Sequence, residues 1–126
     1  MIAGIGVDLA TISRIEKVYS RFGDRFAKRI LNEKEWASYK NHSHPVRFLA
    51  KRFAAKEAAV KALGTGERGG ILLKDFYLKH DELGKPILKV SGKAQERCSV
   101  YGINHFWVTL TDEGDTVAAF VVLERS

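Results

Sequence analysis

Among 126 residues there is one cysteine, one methionine and two prolines. Nowhere does the chain offer the roughly 20 uninterrupted apolar residues that a membrane-spanning helix needs. A single cysteine, Cys98, excludes an internal disulfide and fits a reducing, cytoplasmic setting. Cys98 is expected to be a small, half-buried thiol rather than a nucleophile. The opening MIAGIGVDLA lacks a basic leader, and its apolar run is broken at Asp8, so a short strand is expected there rather than a signal peptide. No repeat, low-complexity tract or linker divides the chain, and its length is too short for two cores. One domain over residues 1–126 is therefore expected.

What is present is basic and uneven. The net charge is +6, yet residues 1–61 carry +7 and the remainder −1. That polarity suits an anionic partner: nucleic acid, an acidic protein or a phosphate-rich small molecule. Composition does not choose among the three.

Residues 2–9 read as a strand ending near Asp8. Thr11 or Ser13 can then cap a helix, with Ser13 and Glu16 at capping-box spacing. Ile12, Ile15, Val18, Tyr19 and Phe22 recur at helical period, and Gly23 closes the segment. A basic stripe of Arg14, Lys17 and Arg21 lies beside them, followed by Arg25. Shorter helical pieces are expected over 24–31 and 33–40, the second opened by Asn32 with Glu35 three residues on. A long central helix runs from about 46 to 63, with Ala50, Ala54, Ala55, Ala58, Ala59 and Ala62 allowing close backbone approach. KDFYLKHD and PILKV flank a turn and read as a hairpin, and Ser91 opens a helix to about Tyr101. HFWVTLT and TVAAFVVLE complete the chain as strands. The last is apolar on both faces, so it needs two covers. The long helix supplies one, and a second copy of the chain is expected to supply the other.

The stretch FLAKRFAAKEAAVKALGTG, residues 48–66, carries the chemistry. Glu57 borders the stripe of Leu49, Phe53 and Val60. A carboxylate there is either half of a modest i,i+4 pair with Lys61 or a metal ligand. Asp8 offers a second carboxylate at a strand end. Two carboxylates with open positions suit Mg²⁺, which takes oxygen ligands and completes its shell with substrate phosphates. Gly64, Thr65 and Gly66 would let a phosphate approach backbone, although a glycine after a helix is commonly only a C-cap. A helix C-terminus disfavours anions, so Lys56, Lys61 and the metal would supply the attraction. GxxxxGK[ST] is absent, which excludes a P-loop.

GIGVDLATISRIEKV (4–18), RFAKRILNEKE (25–35), the 48–66 stretch, GKP (84–86) and VTLTDEGDTVAAFVVLE together resemble the holo-acyl-carrier-protein synthases, the small bacterial phosphopantetheinyl transferases. The resemblance covers essentially the whole chain in order. It implies an α+β fold, a long central helix packed on an antiparallel sheet, in a homotrimer with active sites between subunits. It implies transfer of the 4'-phosphopantetheine group of coenzyme A to a serine of an apo-acyl carrier protein, for fatty acid biosynthesis, releasing adenosine 3',5'-bisphosphate. Asp8 and Glu57 match the Mg²⁺ ligands, Lys61 the lysine beside the phosphates, and Gly64, Thr65 and Gly66 their loop. Arg52 and Pro86 match positions lining the coenzyme A site. Arg14, Arg21 and Arg25 match arginines that grip the acidic carrier. Family members often carry a histidine at the end of the penultimate strand; here Asp112 stands there. Glu57, Asp112 or a water on the metal are then the candidate bases, and His105 is expected to be structural. Nucleic acid is the rival partner, and it is disfavoured. The basic residues are not interleaved with exposed aromatics, no known nucleic-acid-binding signature is present, and Asp8 with Glu57 would repel a phosphate backbone.

Overall fold

The computed structural model describes residues 1–66 and 68–126. Strand β1, Ile2–Thr11, leads into α1, Ile12–Phe22, then α2, Asp24–Ile30, and α3, Glu33–Lys40. The long helix α4 spans Pro45–Leu63 and ends on Gly64 in the left-handed conformation, φ 80°. Strands β2, Phe76–His80, and β3, Pro86–Val90, form a hairpin, followed by α5, Gly92–Val100. Strands β4, His105–Glu113, and β5, Thr116–Glu124, join β1 in an antiparallel sheet of order β1-β5-β4.

This is the expected α+β arrangement, with α4 lying across the three-stranded sheet. The alanines explain how close that contact is. Ala50, Ala54, Ala55, Ala58 and Ala59 are fully buried. Opposite them β1 carries glycine: a Cβ on Gly6 would stand 2.1 Å from the Ala58 carbonyl oxygen, and one on Gly4 would stand 1.9 Å from that of Ala62. No side chain fits between strand and helix at these two points. Val117, Ala119, Val121 and Leu123 complete the buried layer from β5.

The opposite sheet face has no cover among the described residues. Ile5, Val7 and Leu9 of β1 are each about 60% exposed, and Trp107 and Phe120 extend the apolar surface over β4 and β5.

Three local expectations change. The Ser13–Glu16 capping box does not form. Thr11 makes no side-chain cap bond, and the first turn of α1 is satisfied by Asp115 in the β4–β5 turn. Its carboxylate accepts from Ser13 N at 2.9 Å and Ser13 Oγ at 2.6 Å, and its carbonyl accepts from Ile12 N at 2.8 Å. Ser91 precedes α5 but bonds the Asp75 carbonyl at 3.0 Å instead of capping. Cys98 is fully buried, and burial pushes its thiol pKa up. The Asn32 capping box forms as expected, with Asn32 Oδ1 accepting from Lys34 N and Glu35 Oε1 from Asn32 N.

Candidate active site

Alternation along β1 turns Gly4, Gly6 and Asp8 toward α4 while Ile5, Val7 and Leu9 face away. Asp8 therefore meets the last turns of α4. Lys61 Nζ donates to Asp8 Oδ1 at 2.7 Å and to the Val7 carbonyl at 3.2 Å. The hydrogen bond to Asp8, then the charges of Asp8 and Glu57, hold the Lys61 ammonium above its usual pKa. An ammonium thus rests where Asp8 and Val7 offer oxygens and Glu57 adds negative field. Hard oxygen donors with two carboxylates are the set Mg²⁺ prefers, so the residues present fit that ion.

Glu57, one turn before Lys61, is half-buried at the wall of a cavity of about 580 Å³. Phe26, Lys28, Arg29 and Ile30 of α2 form the facing wall, and Leu72, Leu73 and Lys74 close one end. Beyond α4, Gly64 and Gly66 both hold positive φ, 80° and 60°, and the Thr65 hydroxyl donates to the Gly66 carbonyl at 3.1 Å. This left-handed turn leaves the loop backbone open beside Lys61.

Other anticipated residues lie elsewhere. Asp112 is held by Arg47, near the start of α4. Asp8 is level with Ala119 and, one strand further, with Leu110. Asp112 lies beyond Leu110, roughly 10 Å across the sheet and 7 Å along it at ordinary strand spacings. Within one chain it does not join Asp8. His105 stacks on Trp107, with ring centroids 6.4 Å apart and planes 16° off parallel. Arg14, Arg21 and Arg25 are all exposed, and Arg21 and Arg25 both stand over the Phe22 ring, at 5.2 and 5.8 Å. With half-open Val18 and Phe22 they form a basic, partly apolar ridge.

Lys56 departs from expectation most. It does not face a phosphate; its side chain is fully buried. Its ammonium donates to Glu35 Oε1 at 2.5 Å and to the Ile30 carbonyl at 2.7 Å. Burial drives its pKa down to about 8 against the pull of Glu35. Arg52 is buried beside it, with Nε 2.9 Å from Glu35 Oε2, an ion pair without hydrogen-bond alignment, and its guanidinium lies 4.4 Å from the Phe48 ring centroid. Pro86 opens β3 opposite His80. Burial, then the Arg52 charge, lowers the His80 pKa; Arg52 and Leu78 of β2, two residues before His80, meet the same Glu35 oxygen. The Glu35 hub had only one local sign, its place in the Asn32 capping box. Arg47 had none.

Residues 4–121 match the family model of the 4'-phosphopantetheinyl transferase superfamily. The holo-[acyl-carrier-protein] synthase of Pectobacterium atrosepticum is 51% identical over 123 residues, 98% of each chain. The chain belongs to this family of synthases. Solved structures agree at the level of the whole fold. The crystal structure of the Neisseria meningitidis synthase superposes with a TM-score of 0.93 at 42% identity, covering 99% of this chain and 100% of that one. The Bacillus anthracis synthase in complex with CoA (3',5'-ADP) gives 0.81 at 37% identity, covering 100% and 99%. This synthase is accordingly a transferase, and no helix among its described residues is long and apolar enough to cross a membrane.

Proposed function

We infer that the synthase moves the 4'-phosphopantetheine arm of coenzyme A onto a serine of an apo-acyl carrier protein at the site formed by Asp8, Glu57 and Lys61. The observation that carries this reading is the Lys61 ammonium on Asp8 at 2.7 Å, one helical turn from Glu57 at the wall of an open cavity. Asp8 and Glu57 would hold Mg²⁺, which when bound supplies positive charge to the pyrophosphate oxygens. Lys61 adds a second positive charge at the phosphoryl group, and the loop of Gly64, Thr65 and Gly66 lets the phosphates lie against backbone. The serine oxygen bonds to the β-phosphorus as the bond to adenosine 3',5'-bisphosphate breaks, and the serine proton passes to a base. Glu57 lines the cavity beside Lys61, and in this reading the Glu57 oxygen that is not on the metal takes that role. Arg52 and Pro86 are assigned to the coenzyme A site, Arg52 meeting Glu35 beside Leu78 of β2 and Pro86 pairing with His80 at the end of that strand. The complex of the Bacillus anthracis relative supports a coenzyme A site in this fold.

The ridge of Arg14, Arg21 and Arg25 is assigned to the acidic surface of the carrier, with Val18 and Phe22 supplying apolar contact. The open sheet face is assigned to two further copies of the chain, giving a homotrimer. Ile5, Val7, Leu9, Trp107 and Phe120 form an exposed apolar surface of the kind monomers rarely leave bare. A cytoplasmic setting agrees with the one reduced cysteine.

Incubation with coenzyme A, Mg²⁺ and an apo-acyl carrier protein, followed by intact mass spectrometry of the carrier, tests the reading. A gain of one phosphopantetheine that chelator abolishes is expected. No gain with a competent carrier would overturn it, and a gain unaffected by chelator would remove the metal.

A further inference from the structure

Lys56 and Glu57 are adjacent in sequence yet serve different faces of α4. Glu57 opens onto the cavity. Lys56 turns inward to the one carboxylate that ties the surrounding elements together. Glu35 Oε1 accepts from Asn32 N at 3.0 Å and from Lys56 Nζ at 2.5 Å. Its Oε2 accepts from Leu78 N at 3.0 Å and lies 2.9 Å from Arg52 Nε. Glu35 thereby joins α3, α4 and β2. Lys56 extends the tie to the Ile30 carbonyl, at the end of α2.

Two cations on one carboxylate in the dry interior are an expensive way to fill space. Desolvation costs several kcal/mol per ion, and apolar residues of matching volume commonly pack as well or better. What an apolar side chain cannot do is set a distance. The Lys56 bond to Ile30 holds the end of α2 at hydrogen-bond length from a side chain of α4. Both helices line the cavity, α2 through Phe26, Lys28, Arg29 and Ile30 and α4 through Phe53 and Glu57. The start of α2 is pinned as well, because Tyr39 Oη donates to Asp24 Oδ1 at 2.7 Å. Successive helical residues point about 100° apart, so an anchored Lys56 also fixes the direction in which Glu57 projects.

We propose that Lys56, held by Glu35 and the Ile30 carbonyl, is a positioning residue that sets the rotation of α4 at Glu57 and the width of the cavity between α4 and α2. The inference rests on the reading of Asp8 and Glu57 as the metal site.

The experiment compares full-length wild type with Lys56→Met, Glu35→Gln and Glu57→Gln. It measures binding of Mn²⁺ alone by electron paramagnetic resonance, kcat and KM for both substrates, and thermal melting. Folded Lys56→Met is expected to lose about 10- to 100-fold in Mn²⁺ affinity and in kcat, the range found when a group that orients a metal ligand is removed. Glu35→Gln, which preserves shape, shifts both in the same direction and supplies the result if Lys56→Met does not fold. Folded variants with wild-type Mn²⁺ affinity and kcat, and only a lower melting temperature, would make Lys56 a plain structural strut and overturn the inference. Wild type that binds Mn²⁺ no better than Glu57→Gln would instead overturn the site reading, and the inference with it.

Discussion

Two lysine–carboxylate pairs lie within two turns of α4, and they differ in almost everything but length. Lys56 meets Glu35 at 2.5 Å with both side chains shut away from water. Lys61 meets Asp8 at 2.7 Å with the lysine side chain 55% exposed. The buried pair is enclosed by backbone donors and a second cation, so breaking it strands a charge. Water can replace either partner of the open pair, and so can a ligand. One pair is suited to fixing geometry and the other to exchanging partners. That division within one helix lets the chain hold a site rigidly while leaving its charged groups available.

The sharpest test of the open pair is removal of the proposed metal ligands. Asp8→Ala or Glu57→Gln is expected to lower kcat/KM by about 10³-fold, with circular dichroism and melting near wild type; near wild-type turnover in either would sink the metal assignment. Stability should show the reverse pattern. Glu35→Ala leaves Lys56 and Arg52 buried without their carboxylate and is expected to cost about 3–5 kcal/mol in denaturant unfolding, whereas Lys61→Met should leave the unfolding midpoint almost unchanged. Similar losses in both would erase the distinction drawn between them.

Smaller effects are expected at the rim. Arg14→Ala or Arg21→Ala should raise KM for the carrier several-fold more than KM for coenzyme A. The difference should shrink as salt shortens the Debye length below about 10 Å. Equal shifts in both constants would count against a carrier ridge. Smallest of all is a pH effect at Asp24. Hydrogen bonds from Tyr39, then Lys40, hold its carboxyl below the ordinary 3.8. A carboxyl depressed by folding stabilises the fold above its unfolded value and loses that contribution as pH falls through the folded one. Asp24→Asn should therefore slightly flatten the fall in melting temperature between pH 5 and acid, because the group is open to solvent.

Sequence periodicity located every α-helix and strand of the described residues to within about two residues, because that signal is local, but not the two 3-10 turns at 68–70 and 73–75. The α4 alanines and the one-turn spacing of Glu57 and Lys61 were legible for the same reason, whereas the bond from Lys61 to Asp8, 53 positions away, was not. Misplaced residues share one property: their partners are distant in sequence. Lys56 looked like a phosphate contact because nothing beside it announced Glu35, 21 positions away. Ser13 and Glu16 had the spacing of a capping box, but the turn was taken by Asp115, 102 positions on. Asp112 occupied the expected strand position, yet its Arg47 partner follows from how α4 crosses the sheet. Spacing shows which groups a segment presents; only the assembled chain shows which of them are already engaged.

The strand order has a further consequence, for the ribosome rather than for catalysis. The β1 strand, which bears Asp8, hydrogen-bonds only to β5 within its sheet. The first strand made must therefore wait for the last, and the α1 cap waits for the turn before it. At synthesis rates of about 5–20 residues per second, an apolar β1 spends several seconds without its neighbour. The contact of its glycines with Ala58 and Ala62 of α4, by contrast, needs nothing beyond residue 63.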